Sequence, residues 1–230
     1  MTSRSDANEG NRTAPGGRWA KFAALRDRRF LLRLPQYLAG LVALAAGLAV
    51  MLDAGVGVGP WAVFHEGIAV RTPLTFGTAL IVVGIVVQAF AWAAGERPGP
   101  GTFLNMVLVG PVVDLFLFSG WVPVQTSLLP GLLQALLGVL LVGFGSGLYI
   151  TARFGAGPRD GFVLAASRVT GASVRRTRTV LEVVVLLIGA LLGGTVGIGT
   201  ALFALLIGPA MQTAIRLFSR APVRGATAGD

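Results

Sequence analysis

The chain repeats itself at a fixed offset of 98 residues, and this duplication constrains the fold more than any other feature. Residues 34–117 align without a gap with residues 132–215, and 22 of the 84 positions are identical. Chance identity in a chain this rich in Ala, Leu, Gly and Val is roughly one position in ten, so the repeat is real. Each copy holds three apolar stretches. Two copies with an odd number of spans have to cross a membrane in opposite orientations, as in many secondary transporters.

Composition indicates a membrane protein rather than a soluble domain. Hydrophobic residues make up 54% of the chain and charged residues 13%, whereas soluble domains carry about a quarter charged residues. Apolar runs such as 34–52 are long enough to cross a hydrocarbon core of about 30 Å. We therefore expect an all-α, polytopic transmembrane bundle of two inverted three-span repeats. The chain has no cysteine, which excludes disulfides and thiolate chemistry.

Six spans and four segments follow from the apolar pattern. The first repeat covers 34–118 and the second 132–218. Basic tails at 1–33 and 219–230 flank them and are predicted to be disordered and cytoplasmic. The predicted spans are 34–52, 74–94, 102–118, 131–152, 175–193 and 200–218.

The distribution of positive charge predicts one topology. With both termini inside, 18 of the 19 Lys and Arg residues are cytoplasmic and only Arg71 is external. The equivalent segments 53–73 and 151–171 carry opposite charge biases, because the second adds Arg153, Arg159 and Arg168. That difference is expected if one segment faces out and the other faces in.

A G-x-G-P motif follows the first span of each repeat, as Gly57-Val58-Gly59-Pro60 and as Gly155-Ala156-Gly157-Pro158. Proline is favourable at the first position of a helix. The helices predicted at 60–70 and 158–168 are too short to span. They are either re-entrant half-helices, with their positive ends aimed at the protein interior, or helices that lie in the membrane interface.

The third span of each repeat contains Gly-Pro, at Gly110-Pro111 and Gly208-Pro209. Proline removes a backbone hydrogen bond, so we expect a break that lines a site, a hinge, or an ordinary packing kink. Helix N-caps are predicted at four hydroxyl residues. They are Thr75, Thr102, Ser173 and Thr200.

Ionisable and amide groups inside or beside spans are candidates for substrate or ion binding, because they are costly in a membrane. In the outer half these are Asp53, His65, Glu66 and Asp114, and Asn105 is an uncharged candidate within the third span. Three carboxylates among them either converge as a cation or proton site or are solvated separately. The single histidine makes a metal site improbable on the sequence alone.

The inner half offers a second set of candidates. Arg159 and Asp160 directly follow the second Gly-Pro motif, and they either bind an anion through Arg159 or form a salt bridge. Glu182 lies inside the fifth span, one turn after Arg178, where an i, i+4 ion pair is the simpler explanation.

The combined motifs resemble the YczE/YyaS/YitT family of bacterial integral membrane proteins. The pattern runs from Gly57 through Trp61 and His65 to Gly67, and continues with Gly101-Thr102 and Gly110-Pro111. The similarity covers residues 34–218. It implies a multi-pass protein of the bacterial inner (plasma) membrane, and it adds no catalytic residue.

Two functions are compatible with these patterns. The first is a small secondary transporter of an unknown solute or ion that works by alternating access, with a homodimer as one option. The second is a non-transporting accessory or scaffold protein of another membrane complex. We expect no enzyme, cofactor, metal or nucleic-acid partner, because no catalytic or nucleic-acid-binding motif is present.

Overall fold

A computed structural model describes residues 28–155 and 157–219, and within these ranges the protein is helical and has no strand. Eight helices follow one another along the described chain. Their bounds are α1 Arg28–Asp53, α2 Pro60–Arg71, α3 Phe76–Ala93, α4 Pro100–Ser119, α5 Leu128–Thr151, α6 Pro158–Thr170, α7 Val174–Leu192 and α8 Ile198–Ser219.

Five of these helices are long and apolar enough to cross a membrane. They are α1 (from Leu32), α3, α4, α5 and α8. The sixth predicted span, at 175–193, does form a helix, α7. Three arginines and Glu182 lie within it, so it lacks the uniformly apolar composition of the other five. Five rather than six helices are therefore candidate spans in the described chain.

The predicted boundaries need two corrections at the ends. The predicted tail 1–33 is shorter than expected, because α1 begins at Arg28, and residues 1–27 lie outside the described residues. At the other end α8 continues through Ser219, and residues 220–230 lie outside the described residues.

Helices α1 and α5 run antiparallel and form the centre of the fold. Backbone approaches backbone at two glycine pairs, Gly40 with Gly145 and Gly47 with Gly138. All four glycines are buried, and any side chain there would separate the helices. Gly138 is the repeat equivalent of Gly40, and Gly145 is the repeat equivalent of Gly47. The two pairs are therefore equivalent contacts in which the residues of the two repeats exchange places.

Hydrogen bonds outside this glycine contact also occur in equivalent pairs, in which the residues of the two repeats exchange places. The side-chain amide of Gln36 donates to the carbonyl of Leu148, and that of Gln134 donates to the carbonyl of Val50, both at 3.2 Å. Farther out, Gly101 N donates to Phe154 O at 3.0 Å, and Gly199 N donates to Val56 O at 2.7 Å. Helix contacts also exchange, because α2 lies on α7 and α6 lies on α3.

The Gly-Pro pairs do not interrupt their helices. Pro111 lies inside α4 and Pro209 lies inside α8, and both helices continue past the proline. The prediction that Gly-Pro breaks these two helices is therefore wrong.

The predicted caps divide into two groups. Thr75 and Ser173 accept hydrogen bonds from Thr78 N and Arg176 N and cap α3 and α7, as predicted. Thr102 is not an N-cap, since α4 begins two residues earlier at Pro100. Its hydroxyl instead accepts a hydrogen bond from Gly99 N at 3.1 Å. Thr200 does the same for Gly197 N at 3.2 Å.

One contact breaks the correspondence between the repeats. Gly110 of α4 lies against the backbone of Gly77 in α3, where an added Cβ would be 2.5 Å from the Gly77 carbonyl oxygen. At the equivalent Gly208 of α8, an added Cβ would have nothing within 4 Å. Helices α3 and α4 are therefore packed together, whereas a space lies beside Gly208.

Candidate functional site

A cavity of about 750 Å³ occupies the space beside Gly208. Its walls come from α1, α5, α7 and α8, from Asn105 of α4, and from the N-terminal parts of both short helices, α2 and α6. This volume lies within the range of about 300–1,000 Å³ that is usual for small-molecule sites. Arg178 and Glu182 lie on its wall with side chains 48% and 45% exposed. The cavity therefore reaches solvent at the end where α7 begins.

The N-termini of the two short helices both line this cavity. Gly59 and Pro60 begin α2, Gly157 and Pro158 begin α6, and all four residues are part of the wall. Neither N-terminus is capped by a side chain. The first N–H groups of a helix have no intrahelical acceptor, and they carry the positive end of the helix dipole. The first glycine of each G-x-G-P motif forms a turn with positive φ, 103° at Gly57 and 123° at Gly155.

Five charged side chains line the cavity, and they are only partly paired. Arg178 donates to Asp160 at 2.6 Å and lies 3.8 Å from Glu182. Asp160 is therefore paired with Arg178 rather than with its chain neighbour Arg159. The guanidinium carbon of Arg159 lies 5.7 Å from the ring centre of Trp61, within the range of a cation–π contact. The fifth charge is Arg153, which is exposed.

The remaining wall is mixed in polarity. Polar groups come from Asn105, Ser146 and Tyr149. Apolar side chains dominate the rest, and they include Leu44, Leu48, Val142, Phe203 and Ile207. Such a wall suits a small molecule that combines an apolar body with a few polar atoms.

The structure places the outer carboxylates apart from this cavity and in separate environments. Asp114 accepts hydrogen bonds from the Thr75 hydroxyl at 2.5 Å and from Gly77 N at 2.8 Å. Glu66 accepts two bonds of 2.7 Å, from the backbone and the hydroxyl of Thr195. Each carboxylate thus connects two segments of the protein.

Asp53 and His65 are also outside the cavity. Asp53 is the last residue of α1, and its carbonyl accepts a hydrogen bond from Gln125 N at 2.8 Å. His65 is buried in α2 and contacts the ring of Phe76 edge-on. Burial, and secondarily the charge of Arg159, lower the pKa of His65 to about 3. His65 is therefore neutral at physiological pH.

Of the eight candidate binding residues, the cavity brings together Asn105, Arg159, Asp160 and Glu182. Sequence reasoning missed Arg153 as a cavity residue, although a signal was present. Arg153 has φ of 63°, in a region that favours glycine, and its repeat equivalent is Gly55 with φ of 66°. The sequence signal is that a charged residue stands where the other repeat has glycine. In the described ranges, no group of three or more His, Asp or Glu residues is placed to hold a metal ion.

These features define a multi-pass helical membrane protein with a central, partly charged cavity. The chain belongs to a family described as a family of unknown function, DUF6198, which matches residues 31–216.

The relatives agree with the resemblance to the YczE/YyaS family. An uncharacterized protein of Haemophilus influenzae is 32% identical over 211 residues, which cover 92% of this chain and 95% of that protein. The uncharacterized membrane protein YczE of Bacillus subtilis is 34% identical over 79% of this chain and 84% of its own. The uncharacterized protein YyaS of the same organism is 24% identical over 79% of this chain and 91% of its own. No solved structure matches the chain.

Proposed function

We propose that this protein is a small secondary transporter whose two inverted repeats give alternating access to the central cavity. The observation that carries the proposal is the antiparallel contact of α1 with α5, across which equivalent residues exchange places. A two-fold axis that relates two antiparallel spanning helices runs perpendicular to them and so lies in the membrane plane. Inverted repeats of this kind are typical of secondary transporters, which bind their substrates near the repeat interface.

The short helices support this proposal as re-entrant elements rather than interfacial ones. Trp61, Ala62 and Val63 in the first turn of α2 are all buried, and so is Pro158 at the start of α6. A helix that lies flat in the interface would bury one stripe of residues along its length. Here the buried N-terminal ends instead meet at the cavity, the arrangement by which discontinuous helices of transporters bind their substrates.

Helix α7 serves as the sixth span in this proposal. Its charges are confined to the first nine residues, and the rest is apolar. Val180, Val184, Leu187 and Leu191 lie on one face and are between 43% and 81% exposed. Such a face is stable in lipid but not in water, which favours α7 in the membrane with its Arg-rich end at the surface.

The asymmetry between the repeats then corresponds to one state of the transport cycle. The first repeat is closed, with Gly77 of α3 against Gly110 of α4, whereas the cavity lies open beside Gly208 of α8. Exchange of the two repeat conformations would bring α7 towards α8 and separate α3 from α4. The excess of Arg at the open end assigns that end to the cytoplasm, so this conformation faces inward.

A cross-linking experiment tests the exchange, and the cysteine-free chain makes it direct. Arg175 and Gly208 are the repeat equivalents of Gly77 and Gly110. We expect an Arg175→Cys/Gly208→Cys variant to be joined by a short bifunctional thiol reagent in native membranes, because the outward-facing state brings α7 to α8. Arg176→Cys/Gly208→Cys is the matched control, since its first cysteine lies about 100° around the helix.

The measurement also separates transport from an accessory role. Cross-linking of the Arg175 pair should exceed that of the control pair, and it should prevent a membrane-impermeant maleimide from labelling a third cysteine inside the cavity. Equal, background cross-linking of both pairs would mean that α7 does not approach α8. A static protein of that kind fits an accessory role and rules out alternating access.

A further inference from the structure

We propose that the cavity binds an amphipathic organic anion, whose carboxylate or phosphate group is held between Arg153 and Arg159. The claim that such an anion is the transported substrate rests on the proposed function. The claim that the cavity binds such an anion does not. The proposal stands on the cavity, on two cations that have no carboxylate partner among the described residues, and on the conformation of Arg153.

The charge balance of the cavity is positive. Arg178 is matched by Asp160 and Glu182, which together carry two negative charges against one positive charge. Arg153 and Arg159 lie within 4 Å of no carboxylate in residues 28–155 and 157–219. The five groups therefore sum to one net positive charge. The uncapped N-termini of α2 and α6 add about half a positive charge each.

Arg153 occupies a position that its backbone conformation disfavours. A φ of 63° is strained for a residue with a Cβ, and the first repeat has Gly55 at this place. Glycine would relieve the strain, and it would also remove from the cavity wall a cation that has no carboxylate partner in the described part of the chain. The positive-inside bias of segment 151–171 accounts for a positive charge in this segment, but it does not select the glycine position on the cavity wall. A guanidinium that contacts a bound anion accounts for that position.

Arg159 is held in a position suited to the same anion. It is the second residue of α6, so its side chain starts at the positive end of that helix. Its guanidinium carbon lies 5.7 Å from the Trp61 ring centre, and its N–H groups make no hydrogen bond to a described residue, so they can bind a ligand. A planar guanidinium binds carboxylate or phosphate oxygens in pairs, which a lysine would not reproduce.

The apolar wall specifies the rest of the ligand. Leu44, Leu48, Val142 and Ile207 line the cavity beyond the charged groups, and Phe203 lies against Gly59. An inorganic ion would leave this surface unoccupied. An organic anion with an apolar body of several carbons would displace water from it and gain hydrophobic free energy.

Ligand-dependent thermal stability of the detergent-purified protein tests the proposal. The probes share one chain length: hexanoate and hexyl phosphate as anions, hexylammonium as the cation and hexanol as the neutral control. Dioctanoylphosphatidylglycerol distinguishes a lipid from a free anion. The variants are Arg153→Gly and Arg159→Gln. Arg168→Gln is the control, because Arg168 pairs with Glu96 outside the cavity.

We expect both anions to raise the melting temperature of the wild type and of Arg168→Gln, and hexylammonium and hexanol to leave it unchanged. Arg153→Gly and Arg159→Gln should weaken anion binding by roughly tenfold or more, since each removes a charged hydrogen-bonding partner. Without ligand, Arg153→Gly should melt at the wild-type temperature or above it. Glycine accepts this backbone conformation, so a binding defect in this variant cannot be attributed to misfolding.

Several results would overturn the anion site: no response to either anion, an equal response to hexylammonium, undiminished anion binding in both arginine variants, or a response to the lipid probe alone. A lower melting temperature of unliganded Arg153→Gly would equally assign this arginine to folding. This assay needs no transport. If the anions bind but α7 and α8 do not cross-link, the anion site is supported and alternating access is rejected. If α7 and α8 cross-link but no anion binds, only the anion site is rejected.

Discussion

Trp61 and Arg159 are equivalent residues of the two repeats, and the Arg159 guanidinium carbon lies 5.7 Å from the centre of the Trp61 ring. Two equivalent positions in contact have to lie close to the axis that exchanges them. In the proposed inverted-repeat arrangement, the axis therefore passes beside the first turns of α2 and α6. Although the backbone positions are equivalent, an indole and a guanidinium occupy them, so the cavity has one charged and one aromatic side.

Replacement of Trp61 tests this contact. We expect Trp61→Phe to lower the melting temperature less than Trp61→Leu, because phenylalanine keeps an aromatic face for Arg159 whereas leucine keeps only apolar volume. Because Arg159 is half-buried, its cation–π contact should contribute about 0.5–2 kcal/mol. Thermal unfolding in detergent measures both variants. Repeating the pair of substitutions in an Arg159→Gln background should abolish the difference between them, and an unchanged difference would contradict the contact.

The carboxylate of Asp114 in α4 connects this helix to the start of α3. It accepts hydrogen bonds from the Thr75 hydroxyl and from Gly77 N, at the start of α3. Asp114→Ala should lower stability by about 1–3 kcal/mol, since the half-buried Thr75 hydroxyl and the buried Gly77 N–H lose their acceptor. Asp114→Asn should cost less, because its amide oxygen can still accept from one donor.

If these bonds hold the inward-facing state, their loss should also shift the conformational equilibrium. We expect Asp114→Ala to increase the yield of the Arg175→Cys/Gly208→Cys cross-link. Gly84→Ala in the middle of α3, where a Cβ makes only ordinary contact with Met106, should leave the yield unchanged. An unaltered yield with a lower melting temperature would restrict Asp114 to a purely structural role.

His65 should make stability depend on pH in one direction. Its pKa is lowered from 6.5 to about 3, chiefly by burial, so the unfolded chain binds a proton more readily than the folded one. Its contribution to stability is complete above about pH 6.5 and is lost as the pH falls towards 3. Relative to His65→Gln, the wild type should lose up to about 1.4 kcal/mol per pH unit below 6.5. Equal acid sensitivity of both proteins would contradict a neutral, buried His65.

The internal repeat made much of this architecture predictable from the sequence. Glycines and glutamines that recur at the same offset, such as Gly40 with Gly138 and Gln36 with Gln134, form equivalent contacts in the structure. Duplication preserves such positions because each residue contacts the partner repeat in the same way. Helix positions were predictable for a second reason, because the apolar runs are long and end at Gly, Pro and hydroxyl residues.

The partners of the polar residues were not predictable. Asp114 was a candidate because carboxylates are costly in membranes, but its donors lie 39 and 37 residues away in sequence. Asp160 is paired with Arg178 rather than with Arg159, because consecutive residues of a helix point about 100° apart. Spacing along the chain identifies which residues are unusual, whereas the packing of helices decides what each of them contacts.

The close approach of α1 and α5 yields the last prediction. A Cβ on Gly47 would lie 2.6 Å from Val142 N, which is a backbone atom of the facing helix and cannot move alone. Gly47→Ala should therefore separate the helices and lower stability by about 1–3 kcal/mol, the usual cost of overpacking. Gly84→Ala is the control, because its Cβ would meet only Met106 Cγ at 3.5 Å. There the gain in helix propensity of about 0.5–1 kcal/mol should leave stability equal or higher. Thermal unfolding that ranked Gly84→Ala below Gly47→Ala would show that the α1–α5 contact is looser than this glycine pair requires.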